Sequence, residues 1–300
     1  MSRVLVTGAG GFVGSHLALG LADLGFDVVA MDKTFDDAAA RLRGLERHTG
    51  DLRGLELPGG FDTLLHGAAI TARPEELGLS EAAYLAENLE LTLAALKLAQ
   101  THGVKRFVFL GSAGVFSASQ PAPLDESARP DGLGLYAAAK RTGELAAQSL
   151  RASGALDAVS VRLGNLYGPE ERPRTTRPRV GLVARWLAEA EAAKTLTVTN
   201  PAALREWTHV RDLAPALAWL LRRPDLPDVT HVCAPDVLTD KQLAEKLQRL
   251  LPGTRLELPS GAAQPVRPPL ASRFTEALGL KHWTPLEAGL ADLVQRGVPV

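Results

Sequence analysis

The first part of the chain alternates short apolar runs with longer stretches rich in Ala and Leu. The apolar runs contain many β-branched residues, which predicts buried strands at residues 4–7, 27–31, 63–66, 106–110 and 158–163. Apolar positions at helical spacing predict helices at residues 14–24, 81–102 and 136–152. Repeated strand–helix–strand units predict an α/β fold with a doubly wound parallel sheet, a Rossmann fold, whose ligands bind at the carboxyl ends of the strands.

After residue 163 the pattern changes. Residues 168–178 are rich in Pro and Arg, which predicts an irregular segment, and residues 258–269 predict a surface loop. Further helices are predicted at 180–194, 212–221, 240–251 and 285–296, and short strands at 195–199 and 229–233. We therefore expect a dinucleotide-binding domain of residues 1–163 plus about 206–232, and a smaller C-terminal α+β substrate lobe of residues 164–205 and 233–300.

Composition narrows the class of protein. The net charge is −1, and a nucleic-acid surface needs a basic excess, so we expect no nucleic-acid partner. The longest strongly apolar stretch, residues 213–221, is too short to span a bilayer, and the first strand follows Met1-Ser2-Arg3 with no room for a signal peptide. The single Cys233 excludes an internal disulfide and a cysteine-based zinc site. We expect a cytoplasmic enzyme without a metal.

A glycine-rich turn follows the first predicted strand, with the sequence Thr-Gly-Ala-Gly-Gly-Phe-Val-Gly at residues 7–14. Gly8 suits a tight turn, Gly11 lets a pyrophosphate approach the backbone, and Gly14 lets helix and strand pack closely. Phe12 and Val13 open the helix whose N-terminus favours phosphate. The alternative is a flexible turn without a ligand, but its position after the first strand indicates dinucleotide binding.

The second predicted strand leads into Asp32, 24 positions after Gly8, where a carboxylate accepts hydrogen bonds from ribose hydroxyls. A carboxylate repels a 2′-phosphate, which favours NAD over NADP, although the neighbouring Lys33 partly offsets that repulsion. The alternative for Asp32 is an acid on a surface turn.

Tyr136 and Lys140 are four residues apart on a predicted helix, so both side chains lie on one face. A nearby ammonium and a cationic nicotinamide favour the phenolate, so we expect a lowered phenol pKa and acid–base catalysis by Tyr136. Ser112 follows the strand at 106–110, where its hydroxyl reaches the reacting oxygen. Alone, each of these features is typical of a solvated helix face or a small-residue turn.

The Pro-rich segment at 168–178 and its flank hold four arginines within eight positions: Arg172, Arg174, Arg177 and Arg179. The guanidinium group suits bidentate contact with carboxylate or phosphate, so this segment is a candidate loop over the cleft that binds an anionic sugar or sugar nucleotide, with Arg174 and Arg177 as substrate ligands. The alternative is a solvated basic loop.

These motifs occur in an order that resembles the extended branch of the short-chain dehydrogenase/reductase superfamily, the NAD-dependent epimerase/dehydratase family. The resemblance covers most of the chain and includes motifs at residues 7–14, 32, 50–52, 66–69, 88, 112, 136–140, 162–169 and 205–212. It implies that Asp51 and Leu52 contact adenine and that Ala68 and Ala69 line the cofactor. It also implies cofactor contacts for Asn88, Tyr136 and Lys140, and substrate contacts for Ser112, Asn165 and Arg205.

The chain departs from this family pattern at two places. Ala113 and Gly114 stand where 4,6-dehydratases carry an Asp-Glu pair, so we expect no dehydratase activity. Residues 199–203 lack the Gly-Asp-Gly turn that is typical of sugar-nucleotide enzymes, which leaves an NAD-dependent dehydrogenase of a free anionic sugar (a uronate or aldonate) as the alternative to an epimerase. A non-catalytic dinucleotide sensor is a further alternative. The resemblance also implies a homodimer in which helices 81–102 and 136–152 pair into a four-helix bundle.

Overall fold

The fold centres on a seven-stranded sheet in which all strands are parallel. The computed structural model describes residues 2–258, 264–274 and 283–297. From one edge the strands are β3 (Glu46–Thr49), β2 (Asp27–Asp32), β1 (Arg3–Thr7), β4 (Thr63–His66), β5 (Arg106–Ser112), β6 (Asp157–Leu163) and β10 (Val229–Val232). The order reverses direction at β1, where successive strands are added on either side. The doubly wound Rossmann fold is therefore confirmed.

Helices cover both faces of this sheet: α1 (Phe12–Asp23) and α5 (Leu213–Arg222) on one face, α2 (Glu81–Thr101) and α3 (Leu135–Ala152) on the other. Successive residues of β1 point to opposite faces, so Val4 and Val6 pack with α1 and α5, while Leu5 packs with α2 and α3. Because both faces are buried, the central strands show the continuous apolar runs that made them predictable.

A smaller lobe follows the sixth strand. It contains a three-stranded sheet of β11 (Val237–Thr239), β9 (Leu204–His209) and β7 (Asn165–Tyr167), and a two-stranded sheet of β12 (Arg255–Glu257) and β8 (Thr195–Thr197). Its helices are α4 (Leu182–Ala193), α6 (Asp240–Leu250) and α7 (Leu286–Arg296). Their buried faces meet around Trp186 and Trp207, which form a core separate from those of the large sheet.

Most predicted elements are present within one or two residues of the expected bounds. Strand β3 was not predicted, because its Glu-Arg-His-Thr sequence lies at an exposed edge of the sheet, where no apolar pattern is required. Strand β9 was also missed, and the predicted domain boundary at 205/206 falls inside it. Part of the predicted loop at 258–269 lies outside the described residues. No helix in the described ranges is long and apolar enough to cross a membrane.

Candidate active site

A cavity of about 670 Å³ lies along the carboxyl ends of β1, β2, β4, β5 and β6 and continues under the smaller lobe. Its wall includes nearly all the residues predicted to bind cofactor or substrate: Gly8, Gly11, Phe12, Val13, Gly14, Asp32, Lys33, Asp51, Leu52, Ala68, Ala69, Ser112, Tyr136, Lys140, Asn165, Arg174, Arg177 and Arg205. The cavity is large enough for a dinucleotide together with a substrate.

The glycine-rich turn leaves room for a dinucleotide backbone. Gly8 has a φ of +72°, and a Cβ there would lie 2.6 Å from the amide nitrogen of Ala68. A Cβ on Gly14 would lie 2.1 Å from the carbonyl oxygen of Gly8, so this glycine permits the close packing of α1 on the turn. Gly11 is the N-cap of α1 and has no side-chain cap, which leaves the helix N-terminus open to phosphate. The turn therefore fits a pyrophosphate.

Asp32 ends β2 beside this turn. Its Oδ2 atom accepts a hydrogen bond of 2.8 Å from the backbone N–H of Gly10. Burial raises the pKa of the Asp32 carboxyl, while the Gly10 N–H and the positive charge of Arg174 act in the opposite direction. Gly10 had no assigned role in the sequence, yet a Cβ there would lie 2.4 Å from the carbonyl oxygen of Thr34, so the turn and the loop after β2 touch only because residue 10 is glycine.

Asp51 and Leu52 line the far end of the cavity, where the resemblance implies adenine. Arg53 holds the Asp51 carboxylate through its Nε at 2.9 Å and its Nη2 at 2.7 Å, which lowers the pKa of Asp51 well below its ordinary range. The same guanidinium donates to Glu87 at 2.9 Å and Glu90 at 3.0 Å on α2. This end of the cavity is therefore fixed to the sheet and to α2 by one arginine.

Asn88 does not line the cavity, in contrast to the predicted cofactor contact. Its Oδ1 accepts a hydrogen bond of 3.0 Å from the backbone N–H of Ile70, and its Nδ2 donates to the carbonyl oxygen of Tyr84. Ile70 does line the cavity. Both polar groups of the Asn88 side chain are therefore hydrogen-bonded to backbone atoms, and Asn88 supports the cavity wall through its bond to Ile70.

Ser112 and Tyr136 are brought together at the end of β5. A Cβ on Gly114 would lie 3.1 Å from Cε1 of Tyr136 and 3.3 Å from Oγ of Ser112, so the glycine allows both side chains to approach the same point. Burial raises the pKa of the Tyr136 phenol, whereas a hydrogen bond with Ser112 and the charge of Arg177 lower it. The expectation of a lowered phenol pKa is therefore wrong for the chain by itself.

Lys140 lies one helical turn from Tyr136 and is turned toward the protein interior. Its Nζ donates to the carbonyl oxygen of Leu110 at 3.0 Å and lies 5.3 Å from the ring centroid of Phe109. Burial lowers the pKa of Lys140 to about 8, and the nearby Glu144 acts to raise it. The positive charge that lowers the phenol pKa comes from Arg177, not from Lys140 as the sequence suggested.

The arginines predicted to bind substrate occupy different places. Arg174 donates to the carbonyl oxygens of Gly10 and, at 3.1 Å, of Thr34, so it lies beside the cofactor turn rather than in the substrate lobe. Arg174 also lines the cavity, and its predicted contact with substrate stays a prediction. Arg177 also lines the cavity, and its guanidinium lies 5.5 Å from the ring centroid of Phe12 and pairs with Glu171.

In the smaller lobe, Arg205 and Asn165 line the cavity but have protein partners. The Nε of Arg205 donates to Asp240 at 2.8 Å, and the backbone N–H of Asn165 donates to the buried Glu206 at 3.1 Å. Trp207 and Arg185 also line this part of the cavity and were not predicted. Trp207 lies two positions after Arg205, so the alternation of β9 would have identified it had that strand been recognised.

Comparison with known proteins agrees with this architecture. The model of the NAD dependent epimerase/dehydratase family matches residues 4–233. The chain is 29% identical to the putative GDP-L-fucose synthase 2 of Oryza sativa subsp. japonica, over 97% of this chain and 86% of that protein. It is 28% identical to the dTDP-glucose 4,6-dehydratase of Streptomyces niveus, over 82% of this chain and 76% of that protein.

Among solved structures, MoeE5 in complex with UDP-glucuronic acid and NAD superposes with a TM-score of 0.81 at 26% identity, covering 98% of both chains. The glycine turn, the open N-terminus of α1 and the carboxylate of Asp32 beside them fit the dinucleotide that this family uses. The chain therefore belongs to the NAD-dependent epimerase/dehydratase family, and it is an enzyme whose cofactor is NAD.

Proposed function

We propose that this enzyme is an epimerase of a sugar nucleotide and that Tyr136 is its acid–base catalyst. The observation that carries the proposal is the partly buried side chain of Tyr136, which lines the cavity beside Ser112 and within the influence of the Arg177 charge. Bound NAD supplies the hydride acceptor and donor that inversion of an alcohol-bearing carbon requires. The chain supplies the proton transfer and the binding of the sugar.

Proton transfer needs the phenol in its ionised form, and burial alone opposes ionisation. Arg177 and Ser112 favour the phenolate, so Tyr136 accepts the proton of the substrate hydroxyl and later returns it. Ser112 Oγ accepts a hydrogen bond of 3.0 Å from the Gly114 N–H, so its single hydrogen points away from that N–H. It donates this hydrogen to the Tyr136 oxygen in the free enzyme and to the reacting oxygen once a substrate lies between them. Lys140 donates to the carbonyl oxygen of Leu110 and also lines the cavity, which supports the contact with the nicotinamide ribose that the family resemblance implies.

Arginines in the substrate half of the cavity favour a substrate with phosphate groups. Arg185 and Arg205 line the same region, and the guanidinium of Arg185 is about half exposed, with its Nε 3.5 Å from Glu189. Planar guanidinium groups suit the oxygens of a diphosphate. UDP-glucuronic acid, with which MoeE5 was solved, is a sugar nucleotide, and the two relatives described above carry names of sugar-nucleotide enzymes.

Dehydration is disfavoured because elimination of water needs an acid beside the tyrosine. Residues 113 and 114 are Ala and Gly, and Gly114 packs directly against Tyr136. Among the described residues, the carboxylates that line the cavity are engaged elsewhere: Asp32 by Gly10, Asp51 and Glu87 by Arg53, and Asp240 by Arg205. This distribution supports an epimerase rather than a dehydratase.

We also propose that the enzyme is a homodimer that pairs α2 and α3 of each subunit. Leu93 on α2 and Leu145 on α3 expose 49% and 60% of their surface, although the two helices pack side by side over the sheet. Two large exposed leucines on adjacent helices support a second helix pair as their partner.

The reaction is tested by incubating the purified enzyme with UDP-, dTDP- and GDP-hexoses and uronates, and separating the products by chromatography with NMR identification. We expect an epimer to form with no net change in absorbance at 340 nm. Stoichiometric absorbance at 340 nm with a free uronate or aldonate, and no epimer from any sugar nucleotide, would instead establish the dehydrogenase.

The role of Tyr136 is tested with Tyr136→Phe, and Tyr167→Phe is the matched control. Tyr167 is buried, and its hydroxyl makes no hydrogen bond to any residue that the structure describes. We expect Tyr136→Phe to lower kcat by roughly 10²–10⁴-fold while NAD binding persists, and Tyr167→Phe to change kcat by less than about threefold. Equal effects of the two substitutions would contradict the assignment.

A further inference from the structure

The segment at residues 168–178, here called the strap, crosses the cofactor half of the cavity. We infer that Arg174 fastens the strap over the dinucleotide and makes NAD a retained group that does not exchange during turnover. This inference deepens the proposed function and rests on it, because an epimerase returns the hydride to the same substrate, whereas a dehydrogenase must release its reduced cofactor.

One end of the strap is fixed on the β4 side of the cavity. The carbonyl oxygen of Thr176 accepts hydrogen bonds from the backbone N–H groups of Thr71 at 3.1 Å and Ala72 at 2.9 Å. These residues belong to the loop after β4, part of which lines the cavity. The hydroxyl of Thr71 also donates to this oxygen, at 3.4 Å. Because the strap contributes only a backbone carbonyl, this attachment depends on the path of the strap and not on a particular side chain at residue 176.

The other attachment lies on the opposite side of β1. The guanidinium of Arg174 donates to the carbonyl oxygen of Gly10, in the turn after β1, and to that of Thr34 at 3.1 Å, in the loop after β2. Strand β1 lies between β4 and β2 in the sheet. The strap therefore spans the carboxyl end of β1, where the glycine turn receives the pyrophosphate.

A tight turn joins the two attachments. The backbone N–H of Arg174 donates to the carbonyl oxygen of Arg177 at 2.9 Å, and the N–H of Arg177 donates to the carbonyl oxygen of Arg174 at 2.8 Å. Arg174 and Thr176 face both the main cavity and a neighbouring cavity of about 510 Å³ on the outer side of the strap. The strap is thus the wall that separates the cofactor site from this outer cavity.

A cofactor that leaves through this wall must break the hydrogen bonds of Thr176 and of Arg174 together. The contribution of Arg174 resides in its side chain, so it is accessible to substitution while the backbone attachment stays intact. Hydrogen bonds from a charged donor contribute more than neutral ones, so loss of two of them is expected to raise the rate of NAD dissociation at least tenfold.

The test compares the wild type with Arg174→Met, Arg174→Lys and the control Arg179→Met. Arg179 lies on the same stretch of chain, is 63% exposed and pairs with Glu76, an ion pair of the kind that contributes little. Each protein is purified by gel filtration, denatured, and assayed for released NAD per chain. The dissociation rate is measured by adding excess unlabelled NAD to enzyme that was produced in cells fed a radiolabelled NAD precursor, and by following the loss of label from the protein.

We expect the wild type and Arg179→Met to keep close to one NAD per chain and Arg174→Met to lose most of it, with Arg174→Lys in between. Retention within twofold of the wild type in a folded Arg174→Met protein overturns the inference, as does a wild type that loses NAD on gel filtration. If Arg174→Met does not fold, Arg174→Lys decides by the same criterion. Retention by the strap together with no epimer from any sugar nucleotide would reject the proposed reaction but not the role of Arg174.

Discussion

The buried ion pair of Glu144 and Arg162 gives a stability prediction that follows directly from its geometry. Arg162 on β6 donates through Nε to Glu144 on α3 at 3.0 Å and through Nη2 at 2.9 Å, and each side chain is 4% exposed. A Cβ on Gly111 would lie 2.7 Å from Oε1 of Glu144, so the carboxylate fills its site tightly. Glu144→Leu removes the carboxylate and leaves the guanidinium buried.

The loss of unfolding free energy expected for Glu144→Leu follows from the positive charge of Arg162, which remains buried. After the substitution, the guanidinium of Arg162 keeps a distance of 3.5 Å to Nε2 of His231 and a position 5.1 Å from the ring centroid of Phe116, and neither contact supplies a negative charge. Removing one partner of a buried pair costs about 3–5 kcal/mol, which is roughly a fifth or more of the ~5–15 kcal/mol that stabilises a typical domain. The double substitution Glu144→Leu with Arg162→Met removes both desolvation costs and is expected to recover most of the loss.

Urea unfolding of the NAD-saturated enzyme measures these free energies. Glu245→Leu is the surface control, since Glu245 lies 3.8 Å from Lys241 on α6 with both side chains substantially exposed, and should cost less than about 1 kcal/mol. A cost below about 1 kcal/mol for Glu144→Leu, or a double variant no more stable than the single one, would refute the reasoning that an unpaired buried charge dominates.

Three further outcomes are expected. Gly14→Ala forces a Cβ to within 2.1 Å of the Gly8 carbonyl oxygen, so it should lower both NAD content and thermal stability, measured on the purified protein. Leu93→Glu and Leu145→Glu should each shift the enzyme from dimer to monomer in sedimentation velocity. Burial lowers the pKa of Lys140 from 10.5 to about 8, so between pH 8 and 10.5 the unfolded chain binds more protons than the folded chain. The unfolding free energy of the wild type should therefore rise with pH in this range relative to that of Lys140→Met. Parallel pH dependences of the two unfolding free energies, measured by urea titration, would contradict this prediction.

The parts of the site that the sequence predicts are those governed by local rules. Gly8 needs its positive φ, and Gly14 needs to lack a side chain, because of atoms within the same turn. Ser112 and Tyr136 were predicted to meet because strand ends and helix starts share the carboxyl edge of a parallel sheet. In each case, neighbours along the chain or the rules of the fold class determine where the residue lies.

The contacts that the sequence does not specify depend on partners far away in sequence. The charge of Arg174 is visible in the sequence, but the carbonyl groups that it contacts are 164 and 140 positions away. Arg205 is likewise paired with Asp240, 35 positions later, on an element whose packing no local pattern specifies. A charge pattern indicates that a cation is present near a cleft, but only the tertiary structure determines what that cation binds.

The pKa of the Tyr136 phenol likewise depends on a residue that is distant in sequence. Spacing places Lys140 near Tyr136, but burial turns the ammonium toward Leu110, and the charge that lowers the phenol pKa comes from Arg177 in the strap. Arg177 and Arg174 are joined by two backbone hydrogen bonds, so the turn that fastens the strap also holds the cation that favours the phenolate. The attachment of the strap and the charge that favours ionisation of Tyr136 therefore depend on the same turn.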